Sequence, residues 1–72
     1  MSANGLLIKQ LRTEAGLSIR ALGRLAGVDH TYLSKVERGQ ARPSYLWLTR
    51  LARVWDVPVL SLWLPVAAEL AA

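Results

Sequence analysis

Cysteine is absent from this 72-residue chain, which excludes disulfides and thiolate metal sites and makes a reducing cytoplasm the expected setting. Histidine occurs once, as His30. His30 and Ser34 share one helical face, the beginning of a nucleophile and base pair, but Asp29 projects about a quarter-turn away and cannot orient the ring. With no second histidine and no carboxylate pair, no catalytic residue, metal site or cofactor is expected. Long apolar runs are missing as well. Only Leu6, Leu7 and Ile8 stand together before Lys9, too few for a signal peptide. The tail from Val57 to Ala72 is apolar but broken by Pro65 and Glu69. It falls short of the roughly 20 residues of a membrane span, so no membrane partner is expected. No linker, repeat or low-complexity segment interrupts the chain, and residues 1–72 read as one domain. A chain of this length hides only about 60% of its unfolded surface, so its stability is marginal unless a partner adds burial.

Basic residues are missing from Val54 onward. The net charge of +4 is therefore unevenly spread: between Ser18 and Arg53, seven basic residues (Arg20, Arg24, Lys35, Arg38, Arg42, Arg50, Arg53) stand against Asp29 and Glu37, a local net of +5. Scattered arginines merely solvate helix faces. Gathered in one half of a chain, they suggest a phosphate-facing surface.

What is present is helical punctuation, and nothing reads as a strand. A first helix is predicted from about Gly5 to Ala15, burying Leu7, Ile8 and Leu11 and stopping at Gly16. A second starts after Ser18 and ends at Ala26, where Gly27 can turn left-handed and Val28 plug the corner. Asp29 caps a third helix, His30 to Arg38, which turns Leu33 and Val36 inward and has Gly39 just past its end. After the polar, basic loop Gln40 to Pro43, Ser44 caps a fourth that carries Leu48, Leu51, Ala52 and Trp55 inward. Pro58 fits the first turn of a fifth, which Pro65 must end or kink. Residues 19–38 thus suit two short helices crossing through a glycine turn, with His30, Thr31, Ser34, Lys35 and Arg38 left outward. All five can hydrogen-bond to bases or phosphates.

The string LSIRALGRLAGVDHTYLSKVERGQARPS resembles the Cro and lambda-repressor-like helix-turn-helix DNA-binding family, the xenobiotic-response-element type. It matches in its Leu-Ser opening, Gly-Val turn, Glu-x-Gly ending and Pro-Ser start of the next helix. The likeness continues in Ile8, Leu11 and Arg12 upstream and in Leu48, Leu51, Ala52 and Val57 downstream, covering roughly residues 6–63. It implies an all-α fold: a compact five-helix domain with its helix-turn-helix at residues 19–38 and a short extra helix after Pro65.

The resemblance also implies roles. His30, Thr31, Ser34 and Lys35 fall at base-reading positions; lysine suits guanine O6 and N7, a neutral histidine donates or accepts, and Ser34 reaches a base directly or through water. The alternatives are a local bond between His30 and Asp29, and a phosphate contact for Lys35. Arg38 and Arg42 match positions that hold the DNA backbone, and Ser18 with the N–H groups opening the second helix forms another anion site. Most relatives carry glutamine where this chain has Ile19, which cannot bond phosphate, so Arg20 is expected to take that contact. Arg12 and Glu37 match a pair that bridges the first helix to the end of the third; the alternative is two solvated charges. Gly23 stands where alanine is usual, which weakens the second helix by up to about 1 kcal/mol and fits a close helix contact.

Together these features imply a sequence-specific DNA-binding transcriptional regulator, a repressor or Cro-like controller, located in the bacterial cytoplasm on the nucleoid with double-stranded DNA as its partner. The alternative is a protein-interaction module of the same fold, antitoxin-like or polymerase-binding, with a protein partner. Leu46, Val54, Leu60, Trp63, Leu64, Val66 and Leu70 exceed what so small a core can hold. A dimerisation segment at about residues 58–72 is therefore expected, with Leu60, Trp63, Leu64 and Val66 at the interface of a homodimer that binds a palindromic operator. Otherwise the tail after Pro65 folds back and covers the patch within one monomer.

Overall fold

Four short polar side chains decide where the helices begin. In the computed structural model, which describes residues 2–64, Asn4, Ser18, Asp29 and Ser44 each accept from the backbone N–H three residues on. The acceptors sit 3.0–3.1 Å from the amides of Leu7, Ala21, Tyr32 and Trp47. Each bond satisfies a donor that the first helical turn leaves open. The helices that follow are α1 (Gly5–Glu14), α2 (Ile19–Ala26), α3 (His30–Glu37) and α4 (Tyr45–Trp55).

Their apolar faces meet in one core of Ile8, Leu22, Leu33, Val36, Leu48, Leu51, Ala52 and Leu62. Leu7, Leu11 and Trp55, expected inside, are only half-buried and pack against its margin. Tyr32 of α3 meets Trp47 of α4 edge to face, with ring centroids 5.3 Å apart, a favourable aromatic geometry.

Two glycines permit close helix approach. A Cβ on Gly5 would collide with the carbonyl oxygens of Val36 and Glu37, so the start of α1 rests directly on the backbone that ends α3. A Cβ on Gly23 would lie 2.9 Å from the Val28 carbonyl oxygen and 3.3 Å from the His30 Cβ, which accounts for glycine between α2 and α3.

The C-terminal part departs from expectation. In place of a fifth helix there is a single 3-10 turn, Val59–Leu62. Pro58 is extended with no side-chain cap, and Pro65 disfavours helical backbone at Leu64, leaving too few residues between them for a stable α-helix. Trp63–Leu64 (β2) runs extended instead and pairs antiparallel with Ser2–Ala3 (β1), in the register Ser2 to Leu64 and Ala3 to Trp63. The expectation of no strand thus fails at a pairing too short to leave an alternating pattern. The Asn4 N–H donates to the Leu62 carbonyl at 2.7 Å, continuing the tie. Helices α1 and α3 each stop one residue early, with Ala15 and Arg38 as their C-terminal caps. The helix expected after Pro65 lies outside the described residues. No helix of the described residues is long and apolar enough to cross a membrane.

Candidate nucleic-acid interface

Helix α3 is fixed from behind and at both ends. Leu33 and Val36 are fully buried, so the opposite face must turn outward: His30, Thr31 and Lys35 are exposed and Ser34 is half-buried. At its start, Asp29 holds the Tyr32 N–H rather than His30, and the Gly23 contact brings α2 against it. Gly27 takes the left-handed conformation, φ 71°, that ends α2 and reverses the chain into α3. Arg50 of α4 secures this turn by donating from Nη1 to the Gly27 carbonyl at 3.3 Å.

At its end, α3 is held by an ion pair. Arg12 Nε donates to Glu37 Oε2 at 2.8 Å and Nη2 to Oε1 at 3.1 Å, while Nη1 donates to the Leu17 carbonyl at 2.8 Å. The planar guanidinium fork therefore binds both carboxylate oxygens and a loop carbonyl at once. The two side chains are only 12% and 4% exposed. Three pieces of chain, α1, the loop after it and the last turn of α3, meet at this point.

Beside α3 the start of α2 opens a groove lined by Ser18, Ile19, Arg20, His30, Thr31, Ser34 and Arg38. The fold thus assembles Ser18, Arg20, His30, Thr31, Ser34 and Arg38, drawn from two helices, along one depression. Lys35 lies outside that lining, exposed on α3, and Arg42 is exposed in the loop before α4. The Ser18 hydroxyl already accepts from Ala21, but the Ile19 and Arg20 N–H groups belong to the first turn and have no helical acceptor. Arg38 donates from Nε to the Ser34 carbonyl at 3.3 Å and remains exposed. The groove is consequently rimmed by guanidinium groups and faced by hydroxyl, imidazole and amide donors. Such a surface suits an anionic backbone flanking hydrogen-bonding edges. Two participants were not visible in the sequence as such. Arg50 there is one more basic residue, and Ile19 reads only as a lost glutamine, although its place at the first position of α2 puts it next to α3.

Of the residues expected at a dimer interface, Leu60 is 61% exposed. Trp63 is half-buried within the monomer, its ring 6.3 Å from that of Tyr45, and its Nε1 finds no acceptor among the described residues. Leu64 contributes its backbone to β2. Val66 lies outside the described residues. Tyr45 and Leu46, at the start of α4, are 54% and 68% exposed.

Comparison with known proteins follows the same stretch of chain. A family model described as a helix-turn-helix domain matches residues 5–61. The HTH-type transcriptional regulator SinR of Bacillus subtilis (strain 168) is 45% identical over 56 residues, covering 76% of this chain and 50% of that protein. The chain thus spans about half the length of the curated relatives it matches. Among solved structures, the restriction-modification controller protein C.AhdI from Aeromonas hydrophila superposes with a TM-score of 0.76 at 37% identity, covering 82% of this chain and 89% of that one. SinR in complex with DNA gives a TM-score of 0.73 at 44% identity, covering 81% and 94%. The capped helices, the left-handed Gly27 turn and the outward face of α3 all fall inside the matched stretch, and the chain belongs to the Cro and lambda-repressor-like helix-turn-helix family.

Proposed function

We propose that this chain is a sequence-specific DNA-binding transcriptional regulator that places α3 in the major groove of duplex DNA. The observation that carries the reading is the polar outer face of α3, held rigidly over a buried apolar face and bordered by the guanidinium-rimmed start of α2. His30, Thr31, Ser34 and Lys35 face the base edges. Ser18, Arg20, Arg38 and Arg42 take phosphates, Ser18 together with the open N–H groups of α2. Recognition of this kind needs no bond making, and the chain acts by occupying an operator, as a repressor or Cro-like controller on the nucleoid of the cytoplasm.

The chain dimerises through its C-terminal part, roughly residues 58–72. Leu60 is the exposed anchor, and we assign Trp63, Leu64 and Val66 to the same interface. A two-fold dimer sets two recognition helices about 34 Å apart, one turn of DNA, and so requires a palindromic operator with half-sites roughly 10 base pairs apart.

Fluorescence anisotropy against a duplex selected from a random-sequence library, and against its scrambled counterpart, tests the reading. Three arginine contacts per half-site make six per dimer, for a salt slope near −5. Affinity for the selected duplex should then fall about a thousandfold between 50 and 200 mM salt. Equal affinity for selected and scrambled duplexes, or no binding to either, would contradict it.

A further inference from the structure

Ile19 is half-buried at the first position of α2, with part of its side chain packed against the core. The rest lines the open groove beside α3. Of the seven residues lining that groove, it alone has a side chain with no nitrogen or oxygen. Around it stand Arg20 and Arg38 as cationic rims and His30, Thr31 and Ser34 as hydrogen-bonding walls.

An apolar spot between cationic rims and polar walls is complementary to one feature of the DNA major groove. Phosphates border that groove, its base edges are mostly donors and acceptors, and the single apolar group they present is the C5 methyl of thymine. Glutamine at this place would add a donor and an acceptor. Isoleucine offers neither and would leave a polar base edge unpaired, so it discriminates in favour of a methyl and against an unmethylated pyrimidine.

We infer that Ile19 is a specificity-determining residue that receives the C5 methyl of a thymine in each half-site. The inference rests on the DNA-binding reading above. Its size follows from burying about one methyl group, a three- to fivefold gain per half-site, roughly.

The test begins with duplexes selected from a random-sequence library by the full chain. Each thymine of the selected site is then replaced singly by deoxyuridine, which removes the methyl and nothing else. Affinities are measured for the wild type, Ile19→Ala and Ile19→Val, with circular dichroism to confirm folding. At one position per half-site the replacement should cost the wild type about three- to fivefold and Ile19→Ala less than about 1.5-fold, with Ile19→Val between. Should Ile19→Ala fail to fold, Ile19→Val decides: a smaller loss than the wild type supports the inference, and an equal loss overturns it. A selected site at which no thymine methyl matters, or matters equally to all three proteins, overturns the inference and leaves DNA binding standing. Failure to enrich any sequence overturns both.

Discussion

Replacing Glu37 by alanine removes the carboxylate from a site where Arg12 has no other charged partner among the described residues and is 12% exposed on its side chain. Two charge-assisted hydrogen bonds disappear, at 2.8 and 3.1 Å, and only the Leu17 carbonyl continues to satisfy the guanidinium. An exposed pair of this kind is worth about 0.2–1 kcal/mol. Here burial decides the magnitude, because a charge left unpaired out of water costs about 3–5 kcal/mol. We expect about 3 kcal/mol, the lower end, since Arg12 keeps its carbonyl acceptor. For a 72-residue chain the whole stability is on the order of 4–11 kcal/mol, so the substitution removes a large share of it. The melting temperature should fall by roughly 12–24 °C. Arg12→Ala should cost a similar amount, and the double variant should lose about 4 kcal/mol rather than the additive sum of about 6, a coupling of about 2 kcal/mol in a double-mutant cycle followed by far-ultraviolet circular dichroism. The coupling should survive 1 M salt, which screens exposed pairs far more than buried ones. Additive losses of a few tenths of a kcal/mol, abolished by salt, would instead show two independent surface charges.

Four further outcomes are expected. Gly5→Ala should destabilise the fold by about 1–3 kcal/mol, because its Cβ meets backbone carbonyls of α3 that cannot rotate away, outweighing up to about 1 kcal/mol of helix propensity; a raised melting temperature would contradict that contact. His30→Ala and Lys35→Ala should each cost about 1–3 kcal/mol on the selected duplex and little on scrambled DNA. Arg38→Ala and Arg42→Ala should instead weaken binding to every sequence and reduce the salt slope by about 1 per contact; unchanged rankings of operator variants for Lys35→Ala would remove its base-reading role. Leu60→Glu should yield a folded monomer with much weaker operator binding, and sedimentation of a wild-type monomer at micromolar concentration would remove the dimer.

The helix-turn-helix was legible because its signals are local. Ser18, Asp29 and Ser44 cap the helices that follow them by accepting from the N–H three residues on, and Gly27 takes the left-handed turn that ends α2. The pairing of Arg12 with Glu37 spans 25 residues, and no periodicity reveals it; only the family resemblance pointed to it. The need for glycine at position 5 is equally non-local, since the backbone it must clear belongs to the far end of α3. The C-terminal part misled because Pro58, an apolar run and Pro65 suit a short helix as well as they suit a turn followed by an extended segment. What favours the turn is the partner strand at the other end of the chain, Ser2–Ala3, whose two-residue length leaves no pattern to read. In the groove, the sequence shows Ile19 only as a missing contact, because its place beside α3 depends on how α2 and α3 pack.

The most direct test of the central claim, that the outer face of α3 and the start of α2 form the DNA-reading surface, is a map of backbone amide shifts by nuclear magnetic resonance as a selected duplex is added. The largest changes should fall on residues 18–20 and 30–38, with much smaller ones along Tyr45–Trp55. A scrambled duplex should perturb the arginine-bearing positions alone. Changes centred on α4 or on the 3-10 turn, or an identical pattern for both duplexes, would contradict the account.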